Sequence, residues 1–387
     1  MKKKIAIFGS TGSIGITTLS ILKKDKKNFE IVLLSTNNNA QKIFKQANEF
    51  NVRNVIIKNH DQFIKWKSKF AKKKIKIFNN YENFQNIFKK KINYSINAIS
   101  GLDGLEPTLK IIKYTSQIAI ANKESIICGW NLIKKELKKY NTKFIPVDSE
   151  HFSIYQLIDE NTKNIKKIII TASGGPFLKK RIIKNIKIRD ALKHPNWKMG
   201  KKITIDSSTL MNKVFEVIEA KKIFNINLNK IDILVNPNSY IHSIIVLKNG
   251  IIKILAHEPN MEIPIFNSLY EGSSNNVYRI NKLNINKINN INLTKPNISK
   301  FKSLKLLKFI PNKHSFFETI LISINDELVN MFLNKQIKYE KLIIYLNKII
   351  KFKIFKKYYR VEPKSIKQIL DVKNLAKKIV KKYVSEY

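Results

Sequence analysis

Three acids, and a cluster of hydroxyl, amide and amine side chains, mark where chemistry is most readily built in this 387-residue sequence. Asp148 and Glu150 follow the apolar run Phe144–Val147. Residues two apart on an extended segment face the same side, so these carboxylates can share a cation. Hard oxygen ligands suit Mg²⁺ or Mn²⁺, which keep positions for water or substrate. Taken alone, two such acids are more often a solvated loop pair. The stretch Asp206-Ser-Ser-Thr-Leu-Met-Asn-Lys-x-x-Glu216 adds a third acid. On a helix, Asn212, Lys213 and Glu216 fall on one face. The hydroxyls ahead of them and a helix N-terminus there suit a phosphate, although a capped surface helix would read much the same. His194-Pro-Asn-Trp197-Lys-Met-Gly200 sets an aromatic ring in a polar segment, either as a closing lid or as a ring that packs the loop down. His242 and His257 can lie close together on paired strands, where satisfied structural histidines are the commoner outcome.

A fourth pattern, Gly9-x-x-Gly12-x-x-Gly15, sits between an apolar strand and a helix. Glycines there permit a tight turn and the close approach of a pyrophosphate to the helix N-terminus. The next strand ends in Ser35-Thr36-Asn37, without an acid to hold a ribose 2′-hydroxyl, which leans toward NADP over NAD.

Positioning these groups calls for an α/β fold. Residues 1–150 alternate apolar runs (5–8, 31–34, 96–99, 118–121 and 144–147) with amphipathic stretches, the pattern of a parallel sheet with covering helices. This is expected to be the cofactor-binding domain. Residues 151–270 change character and are expected to form the catalytic domain. They carry strands near 167–170, 231–235, 241–247 and 251–255, a turn at Asn249-Gly250, and a helix N-capped by Asp206-Ser207-Ser208 and running to Phe224. Residues 271–305, rich in Asn, Ser and Lys, read as a linker, and 306–387 as a small helical domain.

The formal charge of +45 is spread along the chain and not gathered into a tail, and the lysines travel with Ile and Asn. All three have codons of A and T only, so base composition explains them together. No specific nucleic-acid partner is expected, since scattered charge bears on solubility and non-specific binding. No run approaches the roughly 18 apolar residues of a membrane span. The apolar start is broken by Gly9, Gly12 and their neighbours, unlike a secretory signal. Cys128 is the single cysteine, and a reducing cytoplasm is expected.

GSTGSIG, ANKES, PVDSEH, ASGGPF, HPNWKMG and DSSTLMNKxxE stand in an order and spacing that resembles the 1-deoxy-D-xylulose 5-phosphate reductoisomerases. The resemblance is strong from Met1 to Pro264 and looser beyond. It implies a Rossmann-like NADPH-binding domain, an α+β catalytic domain with a mobile lid at about 179–200, a C-terminal helical domain and a homodimer. It also implies a divalent metal (Mg²⁺ or Mn²⁺, with Co²⁺ as a further option) and a phosphorylated ketose as substrate. By position, Thr11, Gly12, Ser13, Ile14, Asn122, Glu124 and Gly200 are similar to the NADPH contacts. Asp148, Glu150 and Glu216 are similar to the metal ligands. Lys123, Ser149, Glu150, Ser173, His194, Ser207, Asn212, Lys213 and Glu216 resemble the substrate set, with Trp197 covering the substrate and Met261 near it. Lys123, His194 and the three metal carboxylates are the implied catalytic residues. The chain departs from the family in places. Asn37-Asn38-Asn39, where 2′-phosphate recognition is expected, replace Gly-Lys-Asn. His257 replaces the Gly before Glu-Pro, and Ile324-Asn325-Asp326-Glu327 replace Ala-Ala-Asn-Glu. The rival expectation is an NADP-dependent dehydrogenase of another small phosphorylated or semialdehyde substrate, which would not need three carboxylates beside phosphate anchors.

Overall fold

The computed structural model describes residues 2–158, 162–180, 184–271 and 285–386. They form two compact units. The first gathers the described residues of 1–125, 132–152 and 261–280; the second gathers those of 126–131, 153–260 and 281–387.

The first unit is built on seven strands: β1 (Lys3–Phe8), β2 (Phe29–Thr36), β3 (Asn54–Ile57), β4 (Lys76–Phe78), β5 (Ile92–Asn97), β6 (Thr115–Ile120) and β7 (Lys143–Pro146). They are all parallel, in the order β4-β3-β2-β1-β5-β6-β7. Ile5, Ala6, Ile7 and Phe8 of β1 are fully buried, because helices cover both faces of such a sheet. The strand order reverses between β1 and β5, and open sheets of this kind bind ligands beyond the strand ends at that point. The expected strands are present. The one anticipated at 96–99 ends at Asn97, and the Ala98 amide prolongs its pairing by donating to the Phe8 carbonyl at 2.8 Å. β3 and β4 were not anticipated. At four and three residues they are too short to show a period in the sequence.

The second unit holds β8 (Ile165–Ala172), β9 (Ile231–Val235), β10 (Ile241–Leu247) and β11 (Ile252–Ala256), in the order β11-β10-β8-β9. β8 and β9 run parallel and the other pairs antiparallel. The β10–β11 hairpin turns at Asn249-Gly250 as expected, with Gly250 at φ +89°. The helix Met211–Ile223 lays Val217 and Ala220 on Ile168, Ile170 and Ile245 of the sheet.

One expectation is corrected here. Asp206-Ser207-Ser208 do not cap a helix; they close the helix Lys201–Ser208. Leu210 then adopts a left-handed conformation, φ +58°, and a separate helix begins at Met211. Leucine pays a steric penalty there, so tertiary contacts must hold the break. The Ser208 hydroxyl meets the Tyr339 hydroxyl at 3.0 Å, and the Ser303 hydroxyl donates to the Thr209 carbonyl at 2.5 Å. Further along, the Ser315–Glu318 capping box starts the helix Phe316–Leu333, which packs with Lys341–Ile349 and Ile366–Glu386. Residues 272–284 of the expected linker lie outside the described residues. Beyond them, Thr294 bridges to Val235 of β9.

Candidate active site

At the end of β1 the backbone folds back on itself. Gly9 has φ +79°, and a Cβ there would lie 2.8 Å from the Ala98 carbonyl oxygen. A Cβ on Gly15 would lie 2.4 Å from the Gly9 oxygen, so both positions require glycine. Gly12 caps the helix Ser13–Lys24 without a side chain, leaving the first-turn amides and the positive end of the helix dipole for an anion. Gly12 and Ser13 are exposed, and Ile14 is half-buried. The Thr11 hydroxyl meets that of Thr36 at 2.8 Å, tying the turn to β2. Just beyond, Asn37 and Asn38 are exposed, while the Asn39 side chain caps the next helix by accepting from the Lys42 amide.

Asn122 is committed to architecture. Its side chain accepts from the Ser125 amide at 2.6 Å, capping the helix Lys123–Lys139, and donates to the carbonyls of Ile99 and Gly101. In the first turn of that helix, Lys123 and Glu124 are buried. The Lys123 ammonium lies 2.9 Å from Asp148, and Nδ1 of His151 lies 3.1 Å from its other oxygen. Burial opposes charge on Asp148, but Lys123 and His151 outweigh it and hold the carboxyl well below its usual range. Glu150 accepts from the Ser149 hydroxyl at 2.6 Å, both in the first turn of the helix Ser149–Leu157. Sequence reasoning passed over His151, although its place three residues after Asp148 was a usable signal. Met261 stands ahead of the helix Glu262–Leu269 in this unit.

In the second unit, β8 ends in a loop whose Gly174 and Gly175 both have positive φ. A Cβ on Gly175 would sit 2.8 Å from the Ser207 carbonyl oxygen, so the loop packs directly on Ser207. Nδ1 of His194 lies 3.2 Å and 3.0 Å from the backbone amides of Asn196 and Trp197. Amides only donate, so Nδ1 carries the lone pair and the ring proton sits on Nε2. That proton points at the Ser173 hydroxyl oxygen, 3.0 Å away, which also accepts from the Gly175 amide at 3.2 Å. Among the described residues, the Ser173 hydroxyl hydrogen keeps its freedom to donate to a ligand. Burial depresses His194 to about 4, consistent with a neutral ring.

Asn212 and Lys213 both bond Glu216, on the shared face expected of them. Lys213 also donates to the Thr171 carbonyl, two residues before Ser173. Thr171 was missed because a backbone acceptor leaves no trace in residue type. Gly200 is exposed and begins the helix Lys201–Ser208. Of the expected lid, residues 181–183 lie outside the described residues. Elsewhere the segment is tied by Lys300 to the Lys180 carbonyl at 2.5 Å and by Asn196 to the Pro237 carbonyl and Ser239 hydroxyl. Trp197 is half-buried, with its ring edge-on to His242, centroids 6.1 Å apart.

Three family models match the chain in turn. They are 1-deoxy-D-xylulose 5-phosphate reductoisomerase over residues 5–129, that family's C-terminal domain over 144–224, and the DXP reductoisomerase C-terminal domain over 257–379. The 1-deoxy-D-xylulose 5-phosphate reductoisomerase of Pelagibacter ubique (strain HTCC1062) is 53% identical over 372 residues, covering 95% of this chain and 96% of that protein. That of Thermoanaerobacter pseudethanolicus is 37% identical over 386 residues, 99% of this chain and 100% of that protein. The Zymomonas mobilis enzyme in complex with NADPH superposes with a TM-score of 0.89 at 27% identity, over 100% of both chains. A DOX-P reductoisomerase in complex with NADPH, fosmidomycin and magnesium superposes at 0.91 and 28% identity, covering 99% of this chain and 98% of that one. Matched in sequence and fold along nearly its whole length, the chain belongs to the 1-deoxy-D-xylulose 5-phosphate reductoisomerase family.

Proposed function

We propose that this protein rearranges and reduces 1-deoxy-D-xylulose 5-phosphate to 2-C-methyl-D-erythritol 4-phosphate, with NADPH and a divalent metal. Family membership supports the reaction, and the residues present fit both groups. The glycine turn offers bare helix amides where a Cβ would strike backbone. The donor set for the ion is all carboxylate, one member of it held ionised. That ionised Asp148, between Lys123 and His151, is the observation that carries the reading.

In this reading Asp148, Glu150 and Glu216 hold Mg²⁺ or Mn²⁺, with Co²⁺ as a further candidate. When bound, the ion supplies Lewis-acid polarisation of substrate oxygens and NADPH supplies the hydride. Thr11, Gly12, Ser13, Ile14, Asn37, Asn38, Asn39, Asn122, Glu124 and Gly200 are the proposed cofactor contacts. For Asn39 and Asn122 we assign the contact to the backbone, because the side chains are engaged as helix caps. Ser173 donates its hydroxyl hydrogen to the substrate phosphate, and Ser207, Asn212 and Lys213 complete the anchor. Lys123 and Ser149 face the ketose end, His194 holds Ser173 and the lid backbone, and Trp197 excludes water when the lid closes.

The same reading assigns 1–150 to NADPH binding, 151–270 to catalysis and 306–387 to a helical domain joined by 271–305. It makes the protein a cytoplasmic homodimer serving the non-mevalonate route to isoprenoids. No described helix is long and apolar enough to cross a membrane. NADPH oxidation with 1-deoxy-D-xylulose 5-phosphate tests the proposal. Turnover should vanish on chelation and return with Mg²⁺ or Mn²⁺; full turnover after rigorous chelation would overturn it.

A further inference from the structure

His242 on β10 and His257, just past β11, lie face to face, with centroids 3.7 Å apart and planes 18° from parallel. Both are buried. The His257 carbonyl accepts from Nε2 of His242 at 3.1 Å, so that nitrogen carries the His242 proton. Nδ1 of His257 donates to the Glu258 carbonyl at 2.6 Å, which leaves its Nε2 as a buried lone pair without a hydrogen-bond partner among the described residues. A buried acceptor left unmatched is costly, so the His257 ring is not held there by full satisfaction of its polar atoms. Its flat face is what the neighbourhood uses. Burial, with a smaller contribution from His242, pushes His257 down to about 3. His257 is therefore neutral at working pH, so two positive charges do not face each other across the stack.

Trp197 also meets His242, edge to face, at 6.1 Å and 76°. The Trp197 backbone is fixed by His194, whereas its indole meets the ring of His242. His257 thus stacks on the same ring that the indole meets.

We infer that His257 is a positioning residue: by stacking on His242 it presets Trp197 in its substrate-covering orientation. This rests on the proposed role of Trp197 as lid. Aromatic contacts of this kind contribute around 1 kcal/mol. Loss of preorganisation reduces apparent affinity by the fraction of molecules still competent.

The test compares wild type, His257→Ala and His257→Phe in steady-state kinetics. It adds the emission of Trp197 in a Trp66→Phe, Trp130→Phe background, with and without fosmidomycin. Wild-type turnover of 1-deoxy-D-xylulose 5-phosphate secures the functional reading separately; its absence would sink that reading, and this inference with it. With wild type active, His257→Ala should raise the substrate KM about fivefold with kcat changed far less, leave the NADPH KM unmoved, and red-shift Trp197 emission in the free enzyme. His257→Phe, which keeps a flat face and drops both nitrogens, should restore KM and emission to near wild type. An unchanged KM and emission in His257→Ala overturns the inference. So does a His257→Phe enzyme as impaired as the Ala variant, since the nitrogens and not the face would then matter. Should His257→Ala fail to fold, His257→Phe decides between the same two outcomes.

Discussion

In the glycine turn of residues 9–15, backbone approaches backbone so closely that no side chain fits at either end. Between Ser173 and Trp197 the construction is the reverse. Side chains carry the backbone there, with the imidazole of His194 gathering two amides and a hydroxyl. The first region is intolerant of an added atom, and the second of a removed one. The first has one shape; the second owes its shape to a few polar contacts that a ligand can reorganise. Under the proposed function, the first construction serves a rigid cradle for the cofactor and the second an adjustable cover for the substrate.

The sharpest way to break that comparison is Gly15→Ala. The added methyl would sit 2.4 Å from the Gly9 oxygen. A loss of stability of about 3 kcal/mol is expected, with NADPH binding abolished. Thermal melts and NADPH fluorescence titration measure both, and wild-type NADPH affinity in this variant would refute the rigid-cradle reading. Asp148→Asn comes next. It removes a charge that Lys123 and His151 are arranged to keep, while leaving the turn untouched. Activity should fall about a hundredfold or more with NADPH affinity nearly constant. A matching collapse in NADPH affinity would show that the two functions are not separable.

Ser173→Ala should raise the substrate KM about tenfold, the equivalent of one hydrogen bond to a charged group. Trp197→Ala should cost about as much in kcat/KM while shifting the melting temperature little, because the ring is only half-buried. Limited proteolysis bears on the same point. Cleavage within 179–200 should slow when fosmidomycin is present, and equal rates with and without it would reduce Trp197 to a packing residue.

A separate effect is expected on acid stability. His194 and His257 fall from an ordinary 6.5 to about 4 and about 3, so the unfolded chain binds protons that the folded one refuses. Their contribution is intact above pH 6.5 and is lost as pH falls through that value toward 4 and then 3. Melting temperature should decline over that window, less steeply in His257→Phe. An identical slope in that variant would place the titration elsewhere.

Residue types and spacing were enough to mark the glycine turn, the central strands of the first sheet, the hairpin at Asn249-Gly250 and the family itself. These depend on local rules: apolar runs bury, glycine relieves steric conflict, and neighbouring residues share a face. The short strands β3 and β4 escaped notice because pairing partners, and not their own residues, make three or four residues a strand. The break at Leu210 escaped too, since Asp206-Ser207-Ser208 satisfy every local criterion for a helix start. Contacts from Ser303 and Tyr339, about a hundred residues and more away, force a leucine into a left-handed turn instead. The charge of Asp148, set in part by Lys123, and the stacking of His257 on His242 belong to the same class. Each depends on what distant chain segments bring within about 3 to 4 Å, where hydrogen bonds and ring contacts act. Sequence by itself determined which chemistry this protein carries. Tertiary structure alone decided which nitrogens of the histidines carry protons, which side chains are occupied as caps, and which ring stacks on His242, because those properties reside in contacts and not in residues.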